Sequence, residues 1–195
     1  MNKKEKWNRI YTSREEAGGP ALVLRDNRNL LPESGYALDI ACGLGANSIF
    51  LADHGLEIDA WDISDVAINK LMRTKTSGTI HAKIVDVSPA SLRPEIYDVI
   101  INTHYLDRTL VPAMIDALKP GGLIFFQTFT SEKTVDTGPS NPDYLLQKNE
   151  LKILFGELEV LAYQDQGTST DPNDSLAGQA YIVARKPGCS GDLAG

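Results

Sequence analysis

The 195-residue sequence lacks the features that would place it in a membrane, on a nucleic acid or outside the cell. No apolar run reaches the roughly 18 to 20 residues that a membrane-spanning helix needs. The opening MNKKEKWNRIYTS is charged and has no apolar core, so it does not read as a secretory leader. There are two cysteines, Cys42 and Cys189, and they form neither a metal-binding nor a disulfide pattern. A reduced, cytoplasmic protein without a metal is expected. Basic residues are also in deficit, 19 against 26 acidic ones, for a net charge of -7. That balance argues against nonspecific binding to nucleic acid or to an anionic membrane surface. A small anionic substrate held by a few local cations stays compatible with it. Internal repeats and an interdomain linker are both missing, so one domain is expected.

What is present is an alternation of apolar runs and amphipathic segments. YALDIA (36–41), LEIDAWDIS (56–64), TIHAKIVDVS (79–88) and LIFFQTF (123–129) read as strands, and YDVIINTHYL (97–106) opens as one, with Asn102 to Tyr105 following it. ANSIFLADHG (46–55) reads as a helix with Ile49, Phe50 and Ala52 on its apolar side and Gly55 at its C-terminal stop. DVAINKLMRT (65–74) follows Ser64 as N-cap, LVPAMIDAL (110–118) is helical in pattern, and KPGG is a tight turn. ELKILFGE is a short helix. Residues 130–149 are polar and carry Gly138, Pro139 and Pro142, which suits a loop folding over a site.

Strands alternating with helices imply a mostly parallel sheet covered on both faces. The last two strands, 158–166 and 178–186, are separated only by the irregular GTSTDPNDSLAG, so they should form a hairpin that adds one antiparallel strand. In such open sheets ligands sit beyond the carboxyl ends of the strands, which puts the loops after 42, 63, 86, 102 and 128 at the site.

One of those loops decides the reading. In LDIACGLGANS (38–48), Gly43 and Gly45 join a strand to a helix, and Asp62 ends the next strand 19 residues beyond Gly43. That order suits a nucleoside, with the acid on the ribose. A dinucleotide fingerprint needs a third glycine, where this sequence has Ser48, and a loop that welcomes a pyrophosphate. Asp39, inside the strand, would repel that anion and suit a cation. The charge logic favours S-adenosylmethionine, whose ammonium and sulfonium are both positive.

LDIACGLGANSIFLADHG resembles motif I of the class I S-adenosylmethionine-dependent methyltransferases, IDAWDIS their acidic second strand, and IVDVS their third-strand motif. LKPGGLIFFQTF is similar to the turn and strand that close their core. The resemblance covers roughly residues 36 to 185 and is nearest to the small bacterial enzymes of the tellurite-resistance type. Trp7 and Tyr11, the LL…NEL…LF…LEVL stretch and the closing VARK carry that nearer likeness.

The resemblance implies a Rossmann-like three-layer sandwich with a seven-stranded sheet whose last strand is antiparallel. It also implies a lid or cap over residues 1–35, a catalytic domain over 36–186 and a flexible tail over 187–195. Asp39, Ala41, Cys42, Gly43 and Gly45 would surround the methionine half of S-adenosylmethionine and of its product, S-adenosylhomocysteine. Asp62 would accept from the ribose hydroxyls, with Ile63 and Ser64 following it against the adenine. Asp86 and the Val87 amide would read the adenine edge, and Asn102 would contact the methionine end. Among the three histidines only His104, just past the fourth strand, is placed for acid–base work; His54 and His81 are expected to be structural. Tyr105 and Tyr11 are the other catalytic candidates, and Trp7, Phe129, Thr130 and Tyr144 are candidate pocket walls.

The chain departs from the tellurite-type pattern at QGTSTDPNDSLAGQ. No His, Arg or Lys stands there, while Asp171 and Asp174 do, so an anionic metalloid would lose its cationic clamp. The expectation is methyl transfer to a small molecule, a thiol, an oxyanion or metalloid, or an amine, by a monomer or homodimer. Two competitors stand beside it: a noncatalytic cofactor-binding protein and a nicotinamide-dependent oxidoreductase.

Overall fold

The computed structural model describes residues 2–134, 136–169, 171 and 175–188. Strands β1 (Gly35–Ile40), β2 (Leu56–Asp62), β3 (Ile80–Ile84), β4 (Tyr97–Thr103), β5 (Leu118–Phe129), β6 (Glu159–Asp165) and β7 (Gln179–Arg185) form one sheet ordered β3-β2-β1-β4-β5-β7-β6. The first five run parallel, and β7 lies antiparallel between β5 and β6. The reversal follows from the connection before it. The hairpin end is closed by Gln166 N–H to Gln179 O and Gly178 N–H to Gln166 O, both at 3.0 Å.

Six helices are described: α1 (Lys3–Thr12), α2 (Leu22–Asp26), α3 (Ala46–Asp53), α4 (Asp65–Leu71), α5 (Val111–Ala117) and α6 (Glu150–Leu154). Two buried clusters, one on each face of the sheet, make the core. Phe126, Ile124, Ile100, Leu38, Met114 and Phe155 lie on the α5–α6 side; Phe125, Ile101, Ile58, Leu51 and Leu24 lie on the other. The alternation along β5 from Ile124 to Phe126 explains why its sequence is a continuous apolar run: both faces are covered. No helix among the described residues is long and apolar enough to cross a membrane.

The boundaries move in ways that bear on function. β3 ends at Ile84, because its partner β2 ends at Asp62 and the last ladder bond is Val85 N–H to Asp62 O at 2.9 Å. Asp86 and Val87 therefore lie in a loop and not in the strand expected through 88. β4 stops at Thr103, since His104 turns into the left-handed region at φ 57°. Only a 3-10 turn, Pro89–Ser91, connects β3 to β4. The KPGG turn is absorbed into the start of β5, where Gly121 N–H bonds Lys186 O at 2.9 Å. On α3 the buried face is Asn47, Ser48, Leu51 and Ala52, while Ile49 and Phe50 are half-buried, so the expected apolar side is rotated. Ser64 does cap α4, accepting from Ala67 N–H at 3.1 Å. In the segment expected as a tail only Pro187 and Gly188 are described; Cys189 and Asp174 lie outside the described residues.

Candidate functional site

β1 sits between β2 and β4, where the order of connections reverses, and the carboxyl ends of these strands define the crevice such sheets use for ligands. Of the four non-glycine residues with positive φ among the described residues, Ala41 (55°) and His104 (57°) stand immediately after β1 and β4. Backbone strain placed there is a pointer to function.

In the loop after β1, Ala41, Gly43 (φ 54°) and Gly45 (φ 84°) are left-handed at alternate positions, which coils the chain tightly before α3. Gly45 N–H closes the turn on Cys42 O at 2.9 Å. The coil turns Gly43 N–H toward β2, where it donates to Asp62 Oδ2 at 2.9 Å, while Ser64 N–H donates to Asp62 Oδ1 at 2.8 Å. Both Asp62 oxygens are thus oriented by backbone, and each keeps a second lone pair for a hydroxyl donor. Burial raises the Asp62 pKa against these bonds, which favour the charged form.

Asp39, 1% exposed, projects from β1 toward α3 and accepts from Ser48 Oγ through Oδ2 at 2.6 Å. Its Oδ1 is buried and has no partner among the described residues. Burial pushes this carboxyl up to about 7, with the Ser48 bond pulling the other way. A buried acceptor without a donor is costly, and a cationic N–H group would complete it. A ligand ammonium would supply such a donor. Cys42 is buried beside it, its thiol pushed well up first by burial and then by Asp39 and Asp62, so it is not a nucleophile in this state.

Helix α1 lies over this loop. Ser64 Oγ donates to Asn8 Oδ1 at 2.7 Å, Asn8 Nδ2 donates to Asp65 Oδ1 at 2.8 Å, and Lys70 Nζ donates to the Tyr11 and Arg14 carbonyls at 2.8 and 2.6 Å. A Cβ added to Gly43 would stand 2.7 Å from Tyr11 Oη, so the phenol rests on the glycine itself. Burial and then Asp62 raise the Tyr11 pKa, which keeps the phenol a proton donor. Trp7 stacks on Tyr11 at 5.7 Å. Ser64 accordingly caps α4 and ties α1 to it.

The side expected to hold the adenine is more open. Ile63 and Val87 are half-buried, and Asp86 is exposed with Lys3 Nζ 3.4 Å from its Oδ1. Lys3 also donates to Tyr105 Oη at 3.3 Å, so α1 ties this edge to the loop after β4. A groove of about 360 Å³ runs between Lys3, Tyr105, Arg108 and Tyr144. Arg108 is no free cation there: its guanidinium grips Glu150 at 2.5 and 2.9 Å and the Asp143 and Leu145 carbonyls. Asn102 is wholly buried on the opposite face of the sheet from Asp39. Its Nδ2 meets Met114 Sδ at 3.8 Å and its Oδ1 lacks a partner among the described residues. It therefore does not join Asp39 on one side of the loop.

His104 stands toward β5 and β7, with Nε2 2.9 Å from Gln179 Oε1 and its ring 5.2 Å from that of Phe129. A Cβ on Gly138 would fall 2.5 Å from Phe129 Cδ1, so the 130–149 loop folds onto that ring. Thr130 is buried and Tyr144 is 52% exposed. His81 pairs with Glu57 at 2.7 Å and His54 stacks near Phe50, structural positions both. The residues that went unread in the sequence are Asn8 and Lys3 on α1, and Gln127 and Gln179 beside His104. Gln127 had a signal, as a polar residue inside the apolar LIFFQTF; the others had none.

The family model described as "Tellurite resistance protein TehB" matches residues 25–176, most of the chain. A protein of Haemophilus influenzae named as a probable S-adenosyl-L-methionine-dependent methyltransferase TehB is 29% identical over 163 residues, covering 76% of this chain and 56% of its own length. The chain thus spans about half the length of the curated relatives it matches. The crystal structure of TehB from Haemophilus influenzae superimposes with a TM-score of 0.65 at 24% identity, over 95% of this chain and 68% of that one. An S-adenosylmethionine-dependent methyltransferase from Methanosarcina mazei superimposes at 0.66 with 18% identity, over 88% and 100% of the two chains. With the fold of the class I S-adenosylmethionine-dependent methyltransferases and a family match over most of its length, the chain belongs to the TehB family.

Proposed function

We propose that the chain transfers a methyl group from S-adenosylmethionine to a small-molecule acceptor. The observation that carries this reading is the buried Asp39 Oδ1, without a partner among the described residues, beside a left-handed glycine loop whose amide orients Asp62. A pyrophosphate has no place next to such a carboxylate, whereas an ammonium completes it.

In this reading Asp39 holds the ammonium, with Ala41, Cys42 and Gly43 supplying close backbone and Gly45 admitting the turn. Asp62 accepts from the ribose hydroxyls, and Ile63 packs on the base. Asp86 and the Val87 amide meet the adenine edge once Lys3 gives up Asp86. When bound, the cofactor supplies an activated methyl group and leaves as S-adenosylhomocysteine. The rest falls to placement: Tyr11 and Trp7 on α1 exclude water from above, and Tyr105 walls the acceptor side. In-line placement of a nucleophile supplies much of the acceleration. His104 takes the proton from an acceptor that carries one.

The acceptor is best read as a neutral thiol or amine. Arg108 is already engaged by Glu150, and no cation stands among the described residues of 166–179 to clamp an oxyanion. The net charge of -7 speaks against a nucleic-acid substrate. The test is transfer of labelled methyl from S-adenosylmethionine to a panel of thiols, amines and oxyanions including tellurite. Methylation of a thiol or amine is expected. Tight cofactor binding with no transfer to any acceptor would favour a noncatalytic binding protein instead.

A further inference from the structure

The strained residue after β4 is held by a chain of hydrogen bonds whose direction can be worked out from its far end. Val23 N–H, buried at the start of α2, donates to Gln127 Oε1 at 2.9 Å. A backbone amide can only donate, so this bond fixes which end of the Gln127 amide is oxygen. Gln127 Nε2 is left facing Gln179 at 2.9 Å, and because it too can only donate, the atom it meets is Gln179 Oε1. That same oxygen is 2.9 Å from His104 Nε2. An oxygen with two lone pairs accepts both, so the imidazole carries its proton on Nε2. Nδ1 is the free lone pair, and it has no hydrogen-bond partner among the described residues.

Three further observations fix the ring. His104 N–H donates to Gln127 O at 2.9 Å, φ is 57°, and the Phe129 ring lies against the imidazole at 5.2 Å. A non-glycine residue does not adopt that backbone without compensation, and here β5 supplies the backbone acceptor and Gln127, while β7 supplies the Gln179 oxygen that meets the ring. Partial burial lowers the His104 pKa, opposed by the Gln179 bond, so the ring is neutral and its tautomer matters.

We propose that Gln127 and Gln179 are positioning residues that lock His104 in the Nε2–H tautomer, making Nδ1 the atom that accepts a proton from the methyl acceptor. The relay rests on structure alone; its use in proton transfer rests on the methyltransferase reading above. In that step the acceptor's S–H or N–H proton passes to Nδ1, its electron pair forms the bond to the methyl carbon, and the sulfur–methyl bond breaks toward sulfur. The imidazolium so formed keeps its Nε2–H bond to Gln179 and later releases the Nδ1 proton to solvent.

The test is ring-nitrogen NMR on the full chain labelled at histidine, with methyl-transfer rates measured in parallel. Unaltered protein above its His104 pKa should show a pyrrole-like Nε2 and a pyridine-like Nδ1. Gln179→Ala should give a tautomer mixture and a transfer rate lower by roughly twofold, because losing one neutral hydrogen bond takes Nε2–H from a clear majority to about half of the population. Gln179→Glu keeps an acceptor oxygen, so it should restore Nε2–H and move the acid limb of the rate profile to higher pH. A pyridine-like Nε2 in the unaltered chain, an Nε2–H signal untouched by Gln179→Ala, or an unchanged rate in that variant would overturn the proposal. Absence of methyl transfer by the unaltered chain, with its ring signals as expected, counts against the methyltransferase reading and leaves the relay standing.

Discussion

Ser48 Oγ donates to Asp39 Oδ2 at 2.6 Å, and in doing so it leaves the other Asp39 oxygen buried and unanswered. The serine where a dinucleotide fingerprint has its third glycine is therefore more than a missing glycine. It fixes one oxygen of the carboxylate and leaves the other in need of a donor.

Asp39 should make ligand binding and stability depend on pH in opposite directions. Its folded pKa of about 7 is above the unfolded value, so the folded chain holds a proton that the unfolded chain has lost between about 4 and 7. Stability from this group is complete at low pH and falls as pH rises through that window. The ammonium needs the charged form, so S-adenosylhomocysteine affinity should rise across the upper part of the same window. Asp39→Asn should flatten both profiles and weaken binding by about 2 kcal/mol, the worth of a hydrogen bond to a charged group. Urea melts and calorimetry at pH 5.5 and 8 provide the check.

Asp62→Ala removes the acceptor of both the Gly43 and Ser64 amides as well as that of the ribose. Affinity for S-adenosylhomocysteine should drop by about 1–3 kcal/mol, as when a buried partner is left unsatisfied. Equal affinity of the two proteins would place the ribose elsewhere.

Gly43→Ala combines two penalties. A left-handed φ of 54° costs an alanine about 1 kcal/mol, and the new methyl meets Tyr11 Oη. Adding Tyr11→Ala should recover the steric part and leave the backbone part. A double-mutant cycle on thermal stability that shows strict additivity would mean α1 does not rest on the loop.

Away from the site, Asp59 is 4% exposed and accepts from Lys83 and from Tyr97 Oη, both at 2.9 Å. Burial alone would raise its pKa, but the bonds from Lys83, Tyr36 and Tyr97 together hold it low. Its contribution is present above the unfolded carboxylate value and is lost as pH falls through the lower folded one. Asp59→Ala should destabilise by about 2 kcal/mol at neutral pH and by less in acid, while folded protein keeps its cofactor affinity. Chemical denaturation with a binding assay on the folded fraction separates the two effects.

The succession of strands and helices along the chain and the reversed ending were readable because apolar runs, turn residues and the lack of a crossover segment before β7 are local signals. The glycine loop and Asp62 were readable for the same reason: a tight turn and a strand-end acid are set by a few adjacent residues. Positions that depend on distant partners were not. β3 ends where β2 stops supplying hydrogen bonds, so Asp86 and Val87 fell into a loop that their own sequence does not announce. Asn102 reads as a strand-end polar residue, yet strand alternation sends it to the face opposite Asp39. His104 was visible as a candidate, but its tautomer depends on Val23, Gln127 and Gln179, of which Val23 and Gln127 alone are 104 positions apart in sequence.

The central claim is that this crevice takes S-adenosylmethionine, and titration calorimetry with S-adenosylhomocysteine set against NADH tests it most directly. Saturable binding of S-adenosylhomocysteine, weakened by Asp39→Asn, with no heat from NADH, is the expected result. Binding of NADH alone, or S-adenosylhomocysteine affinity indifferent to Asp39, would contradict the account.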